Sequence, residues 1–351
     1  MFEHSLILVT GANGYIASAL VKKLVDHGAR VRATVRREAS GEQLRETLSP
    51  DAKGSLEIAI VQDITASGAF KSALQGVTHV FHAASPIPGA GKIDAKRDFI
   101  DPAVAGTMSL LEDAHATSSV VKVVLTSSIA AMLDAATIRQ AGTYTSSDWN
   151  SITYDTAIAL NDKLASDNPA EVAQYSMYIY AASKTLAEKA ARDFVSEKKA
   201  RFAFNTVHPA FVIGKPAIRD AGLNGSNAIF WKALTARPID AGDAMHLVSL
   251  QDTVNGHVKA MESEEANGKR LILCSGEPLT AELINWAKDR GGSSLAFERV
   301  DLPHNVEELK RNVRNFDVSE TERVLDIKFE SVRETVDNWV DWITEERITK
   351  S

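Results

Sequence analysis

The apolar run Leu6-Ile7-Leu8-Val9 passes directly into Thr10-Gly11-Ala12-Asn13-Gly14-Tyr15-Ile16-Ala17, and this junction constrains the chain more than any other segment. Two glycines three apart, with a small residue three further on, let a strand turn sharply into a helix that packs close against it. Gly11 permits the turn, Gly14 lets a phosphate-bearing ligand approach the backbone, and Ala17 keeps the helix near the strand. The N–H groups at the start of such a helix lack intrahelical partners and can hold phosphate. On its own the pattern is also that of an ordinary turn, so its meaning depends on the strands and helices downstream of it.

Downstream, the chain alternates repeatedly between two periodicities. Short β-branched runs at Leu6–Val9, Ala29–Val35, Leu56–Val61, Val77–Phe81 and Val120–Leu125 read as strands. Helical spacing is clearest at Tyr15–His27, ended by Gly28, and at Asp98–Ala116. Strand, helix, strand repeated in this way implies parallel pairing with right-handed crossovers, so the expected fold is α/β, a Rossmann-type doubly wound parallel sheet. The pattern loosens from Asp134 to Ala170, turns helical from about Glu171 to Lys199, and returns to strand at Phe202–Val207.

Beyond Lys215 the order becomes irregular. A Gly/Asn-rich stretch at 220–227 precedes a predicted helix at Ala228–Ala236, a strand at Met245–Leu250, a helix at Thr253–Ser263 and a strand at Arg270–Cys274. Amphipathic helices are predicted at Thr280–Arg290 and Ser331–Glu346. Residues 1–216 therefore read mainly as a dinucleotide-binding domain to which 243–263 return, and 217–242 with 264–351 mainly as a smaller C-terminal substrate-binding lobe.

Composition removes several classes. With 44% hydrophobic and 24% charged residues among 351, the chain is neither disordered, collagen-like nor coiled coil. Thirty-nine basic against 46 acidic residues leave a net charge of −7, which disfavours nucleic acid as a partner. The one cysteine, Cys274, cannot form an internal disulfide, which fits a reducing compartment, and no His/Asp/Glu cluster has metal-ligand spacing. No stretch reaches the roughly 18 apolar residues of a membrane span, and the N-terminal run is short for a signal peptide. A cytoplasmic protein without metal, membrane or nucleic-acid partners is expected.

Three features carry chemistry. The second strand ends Thr34-Val35-Arg36-Arg37, where a site for NAD would place an acidic residue about 20 residues beyond the glycines. A guanidinium there suits a 2′-phosphate, so NADPH/NADP+ is the expected cofactor, with Arg36 the first choice for the contact. Of six tyrosines only Tyr180 has a lysine four residues on, Lys184, which puts both on one helix face and lets the ammonium favour the phenolate. The fifth strand ends Thr126-Ser127-Ser128, and a hydroxyl at a strand's carboxyl end can hold a substrate carbonyl oxygen.

Glycine turn, serine and Tyr-x-x-x-Lys in this order resemble the extended short-chain dehydrogenases/reductases. The segments Arg32–Arg36, Phe81-His82-Ala83-Ala84-Ser85-Pro86, Tyr180-Ala181-Ala182-Ser183-Lys184 and His208-Pro209-Ala210-Phe211-Val212-Ile213-Gly214 are similar to the branch that holds dihydroflavonol reductases and fungal aldehyde and ketone reductases. The resemblance implies that Ser128, the second of the pair, is the catalytic serine, with Ser127 in reserve. Tyr180 would be the general acid and Lys184 the cofactor-binding lysine. Gly11, Asn13, Gly14, Tyr15 and Ile16 would face the dinucleotide, Asp63 and Ile64 its adenine, Ala83, Ala84, Ser85 and Thr126 its length, and Pro209 with Val212 the nicotinamide.

The chain departs from the branch at Ala105, where many relatives carry Asn, and at Lys215, where Pro is usual. Substrate choice is expected to lie with Ser85, Ile87, Ala131, Met132, Phe211 and Trp231, an apolar set suited to a hydrophobic carbonyl compound. His82 and His208 read as structural. The reaction expected is hydride transfer to a ketone or aldehyde, or its reverse, by a monomer or homodimer. A nucleotide-sugar epimerase/dehydratase with tightly held NAD, and a non-catalytic NADP sensor, are the alternatives on the same fold.

Overall fold

Parallel strands need a crossover of a dozen or more residues between them, and the spacing of the apolar runs supplies one each time. The computed structural model describes residues 5–348 apart from 49, 86–92, 135–136, 138–139, 219–222, 224, 236–240, 293–294 and 296. The strands are β1 (Leu6–Thr10), β2 (Arg30–Val35), β3 (Leu56–Ile60), β4 (His79–His82), β5 (Lys122–Thr126), β6 (Thr143–Tyr144), β7 (Ala203–Pro209), β8 (Phe211–Ile213), β9 (Leu247–Ser249), β10 (Arg270–Leu273) and β11 (Asn315–Phe316). The helices are α1 (Tyr15–Asp26), α2 (Glu38–Arg45), α3 (Asp101–Ala116), α4 (Tyr154–Ala159), α5 (Pro169–Glu197), α6 (Gly225–Thr235), α7 (Leu250–Glu262), α8 (Thr280–Gly291), α9 (Val306–Asn312), α10 (Ser319–Leu325) and α11 (Val332–Ile348).

Seven strands form one parallel sheet in the order β10-β7-β5-β4-β1-β2-β3. The doubly wound α/β expectation is met. β1 is apolar from Leu6 to Val9 because both faces are covered: Ile7 and Val9 enter one core with Leu20, Leu24 and Val31, while Leu6 and Leu8 enter the other with Leu74, Val80 and Leu110. Strand order reverses between β1 and β4, so the carboxyl-end loops after these strands diverge and leave the crevice where ligands of open α/β sheets bind.

Three elements differ from the sequence reading. The connection from β3 to β4 contains turns rather than the expected helix: Gly68 and Gly76 both adopt positive φ (76° and 73°), and Phe70 and Leu74 fill the core from an irregular path. The Phe70 N–H donates to Asp113 on α3 at 2.9 Å, anchoring that path. The strand at 247–249 is shorter than expected, because the Ser249 hydroxyl caps α7, accepting the Asp252 N–H at 2.9 Å. β10, which the sequence reading grouped with the smaller lobe, is an edge strand of the main sheet beside β7.

Part of the chain beyond β7 builds a second core. β8 and β9 pair in a small parallel sheet, and α6, α8 and α11 bury Phe230, Leu283, Ile284, Val336, Trp339 and Val340 beneath it. Trp339, fully buried, packs edge-on against Phe230 with ring centroids 4.8 Å apart. Its indole N–H donates to Asn227 Oδ1 at 3.0 Å, and Asn227 Nδ2 donates to the Gly214 carbonyl at 2.9 Å. The Tyr15 hydroxyl, at the start of α1, donates to that same carbonyl at 2.7 Å. One asparagine thus joins the phosphate-loop helix to the last helix of the chain.

Removing the Trp339 side chain leaves a large cavity and takes one donor from Asn227 Oδ1. Trp339→Ala is expected to cost about 3–5 kcal/mol, read as a lowered urea midpoint with an unchanged slope.

Candidate active site

The glycine loop is shaped by a neighbour that no local pattern reveals. Gly11 has φ of +62°, and a Cβ placed on it would lie 2.8 Å from the Ala84 Cα. The loops after β1 and β4 are therefore in backbone contact, which only glycine allows. Thr10 locks the same junction: its hydroxyl oxygen accepts the N–H groups of Ala83 and Ala84, both at 3.1 Å, and its proton faces His82 Nδ1 at 2.8 Å. Gly14 caps α1 with no side-chain bond, and the first turn carries no acidic residue, so nothing negative competes for the helix start.

Around this cradle, Asn13 is exposed in the loop and Ile16 packs on the core below it. Tyr15 begins α1, but its hydroxyl is committed to Gly214 and Asn227, and burial pushes the phenol well above its usual range. Arg32 is also committed, to Glu57 at 2.7 Å and to the carbonyls of Ala73 and Gln75. Arg36 and Arg37 are exposed, and among the described residues neither side chain makes a hydrogen bond or ion pair. Asp63 accepts the N–H and hydroxyl of Thr65 through one oxygen, which together hold its carboxyl below the usual range. Ile64 lies against Gly106 of α3, where an added Cβ would stand 2.8 Å from Ile64 Cδ1.

The proton-transfer candidates sit on α5. That helix starts at an Asn168 cap with Pro169 in its first turn, and runs unbroken through Tyr180 and Lys184. Tyr180 lies beside Ser128, whose hydroxyl oxygen accepts the Ala130 N–H at 3.1 Å. The Ser127 hydroxyl donates instead to Glu188 Oε2 at 2.7 Å. Of the two serines, Ser128 is the one beside the phenol.

Lys184 Nζ lies 5.9 Å from the Tyr180 ring centroid and donates to the Thr126 carbonyl at 3.2 Å. Burial brings its pKa down to about 8, with Glu188 opposing the shift. The sequence reading expected Lys184 to favour the phenolate. Burial raises the Tyr180 phenol and the Ser128 contact opposes that shift. A phenol that stays protonated is the form a general acid requires.

Other candidates fall where their local geometry puts them. Thr126 is buried with its hydroxyl toward His257 Nε2 at 2.9 Å, so only its carbonyl faces the lysine. Ser85 and Ala84 share with Lys184, Thr107 and Glu188 a cavity of about 10 Å³, the size of one water. Pro209 ends β7 and Val212 is buried in β8. Phe211 and Trp231 border the C-terminal core, Trp231 5.3 Å from the Phe297 ring. Ala131 and Met132, expected at the substrate, are fully buried beneath the short turn that Ser128 caps, with Met132 part of the main core. Ile87 lies outside the described residues. Ala105 lies at the open start of α3, and Lys215 pairs with Glu345 of α11 at 3.3 Å.

Residues 7–272 match the NAD dependent epimerase/dehydratase family. The chain belongs to that family. Among its relatives, ketoreductase azaE of Aspergillus niger is 31% identical over 351 residues, 97% of this chain and 98% of its own. Ketoreductase sphI of Aspergillus fumigatus is 33% identical, covering 78% of this chain and 79% of its own length. The crystal structure of Gre2 from Candida albicans in complex with NADPH superposes with a TM-score of 0.84 at 28% identity, over 97% of this chain and 99% of that one. Among its described residues, this family member has no helix long and apolar enough to cross a membrane.

The fold of this epimerase/dehydratase-family chain also assembles residues the sequence reading passed over. Glu188 continues the Tyr180, Lys184 spacing by one more turn, a signal that was there to be read. Arg270, Asn227 and His257 had none, since their partners lie 82, 112 and 131 residues away along the chain.

Proposed function

We propose that the chain is an NADPH-dependent carbonyl reductase that delivers hydride to a ketone or aldehyde and catalyses the reverse alcohol oxidation. The observation that carries this reading is Tyr180 placed beside Ser128 at the carboxyl end of β5, with the buried Lys184 one helical turn on. Support comes from the likeness to two Aspergillus ketoreductases and to Gre2 bound to NADPH.

The residues present fit a dinucleotide phosphate. Gly11 leaves the loop open where a Cβ would collide with Ala84, the uncapped start of α1 offers N–H donors, and the Arg36 side chain is unpaired at the end of β2. In this reading Gly11, Asn13, Gly14 and the backbone of Tyr15 and Ile16 hold the pyrophosphate. Arg36 holds the 2′-phosphate, Asp63 and Ile64 the adenine, Ala83 to Ser85 the middle, and Pro209 and Val212 flank the nicotinamide. NADPH supplies the hydride.

Ser128 donates a hydrogen bond to the substrate carbonyl oxygen and Tyr180 protonates it as the alcohol forms. Lys184 anchors the nicotinamide ribose and keeps positive charge beside the phenol. Positioned proton transfer of this kind is worth roughly 10²–10⁴-fold. Phe211, Trp231 and the C-terminal lobe, residues 217–242 and most of 274–351, form the side that receives an apolar substrate.

Purified protein mixed with NADPH and a panel of ketones, keto esters and aldehydes is expected to consume reduced-nicotinamide absorbance; silence across the panel with both NADPH and NADH overturns the proposal. Tyr180→Phe is expected to abolish turnover while NADPH still binds in a fluorescence titration. Arg36→Ala is expected to weaken NADPH by about 1.5–3 kcal/mol and leave NADH unchanged, whereas an equal loss for both would move the contact to Arg37. Because reduction needs the cationic lysine, kcat is expected to hold below and fall above about pH 8, where Lys184 loses its proton.

A further inference from the structure

Glu188 is the most heavily bonded buried charge near the candidate active site. Its side chain is fully enclosed, and Oε2 accepts the Ser127 hydroxyl and His208 Nε2–H, both at 2.7 Å. Oε1 accepts Arg270 Nε at 2.8 Å, Arg192 Nε at 3.1 Å and the Thr206 hydroxyl at 3.2 Å. Both oxygens are saturated by donors from β5, β7, β10 and α5 itself. A buried ion pair is weak grounds for stability, since apolar residues of the same volume often do as well. The Ser127 bond, moreover, adds nothing to charge neutralisation.

That bond does act on geometry. Ser127 immediately precedes Ser128, its own N–H donates to the Val207 carbonyl at 2.8 Å, and its side chain ties the residue next to Ser128 to α5. Tyr180, Lys184 and Glu188 succeed one another at single-turn intervals on one face of α5. Pinning Ser127 to Glu188 therefore sets where Ser128 stands along the helix, and so its distance from Tyr180. We propose that Glu188 is a positioning residue for proton transfer: through Ser127 it seats Ser128 against Tyr180, and its carboxylate faces Lys184 as the counter-charge. This rests on the carbonyl-reductase reading above.

The groups around Lys184 are few. Tyr180 and Glu188 share its helix, His82 approaches from β4, Thr126 offers a carbonyl from β5, and α3 contributes the uncharged Thr107. His82 is held neutral, its pKa brought down to about 3 by burial and by Lys184 itself. His208, Arg270 and Arg192 stand behind Glu188, and burial keeps His208 below its ordinary value. Among the described residues, Glu188 is the negative group that acts on the lysine.

The test compares wild type, Glu188→Gln and Ser127→Ala in steady-state reduction across pH, with thermal melts and near-UV circular dichroism to normalise to folded protein. Glu188→Gln is expected to lower kcat by up to about 10²-fold, with a smaller change in KM for NADPH. It is also expected to move the alkaline limb of kcat below the wild-type position near 8. Ser127→Ala, which keeps the carboxylate, is expected to lower kcat with the limb unmoved. Variants that melt earlier but keep wild-type kcat and pH profile per folded molecule overturn the inference. Should Glu188→Gln not fold, a wild-type kcat in Ser127→Ala overturns it equally. An active wild type beside unchanged variants refutes this inference alone, whereas a wild type silent on every carbonyl fells the reductase reading and this inference with it.

Discussion

The contact between Gly11 and Ala84 is the constraint on which the rest of the site depends. Two loops leave the sheet at the point where strand order reverses, and they meet with no room for a side chain between them. Thr10 makes the meeting rigid by accepting both N–H groups of Ala83 and Ala84. From that fixed corner the start of α1 is aimed, the turn after β4 is placed beside Lys184, and β5 brings Ser128 to the same end of the sheet. Every proposed role is measured from a backbone junction that one threonine and one glycine hold.

Burial is the second organising force. His82, His208 and His257 are all fully enclosed and all held below their ordinary pKa, so each is a neutral structural hydrogen bonder. Cys274, likewise enclosed, is pushed up to about 12 and is unreactive as a thiolate source. The same enclosure brings Lys184 into a range where its charge responds to ordinary pH, while Glu188 stays ionised because His208 and the arginines surround it. Low dielectric keeps one set of titratable groups neutral and leaves another charged or able to titrate, according to which partner each finds.

The two cores share the small β8–β9 sheet, which gives Val212 and Val248 to one and Ile213 and Leu247 to the other. Asn227 receives the Trp339 indole and gives to Gly214, while the Tyr15 hydroxyl joins the same carbonyl from the phosphate-loop helix. Tyr15, expected to face the dinucleotide, also ties the lobes together through its hydroxyl. Loops near the substrate lobe are also where Ala131 and Met132 turned inward, since a single turn capped by Ser128 leaves them no path to the surface.

The range of each interaction decides how much of it could be read in advance. Strand alternation, the helix starting after Gly14, and the Tyr180, Lys184 spacing are local, carried by periods of two and 3.6 residues, so the sequence determined the sheet, its parallel sense and the order of the chemical groups. It also narrowed the serine to a pair. What only the tertiary structure decided is long-range: that Ser128 rather than Ser127 meets Tyr180, that β10 joins the main sheet, that the β3–β4 crossover is irregular, and that Glu188 gathers Ser127, His208 and Arg270. The partners of such a carboxylate lie up to 82 residues away, and nothing in a local period encodes them, because they become neighbours only once the strands have been laid side by side.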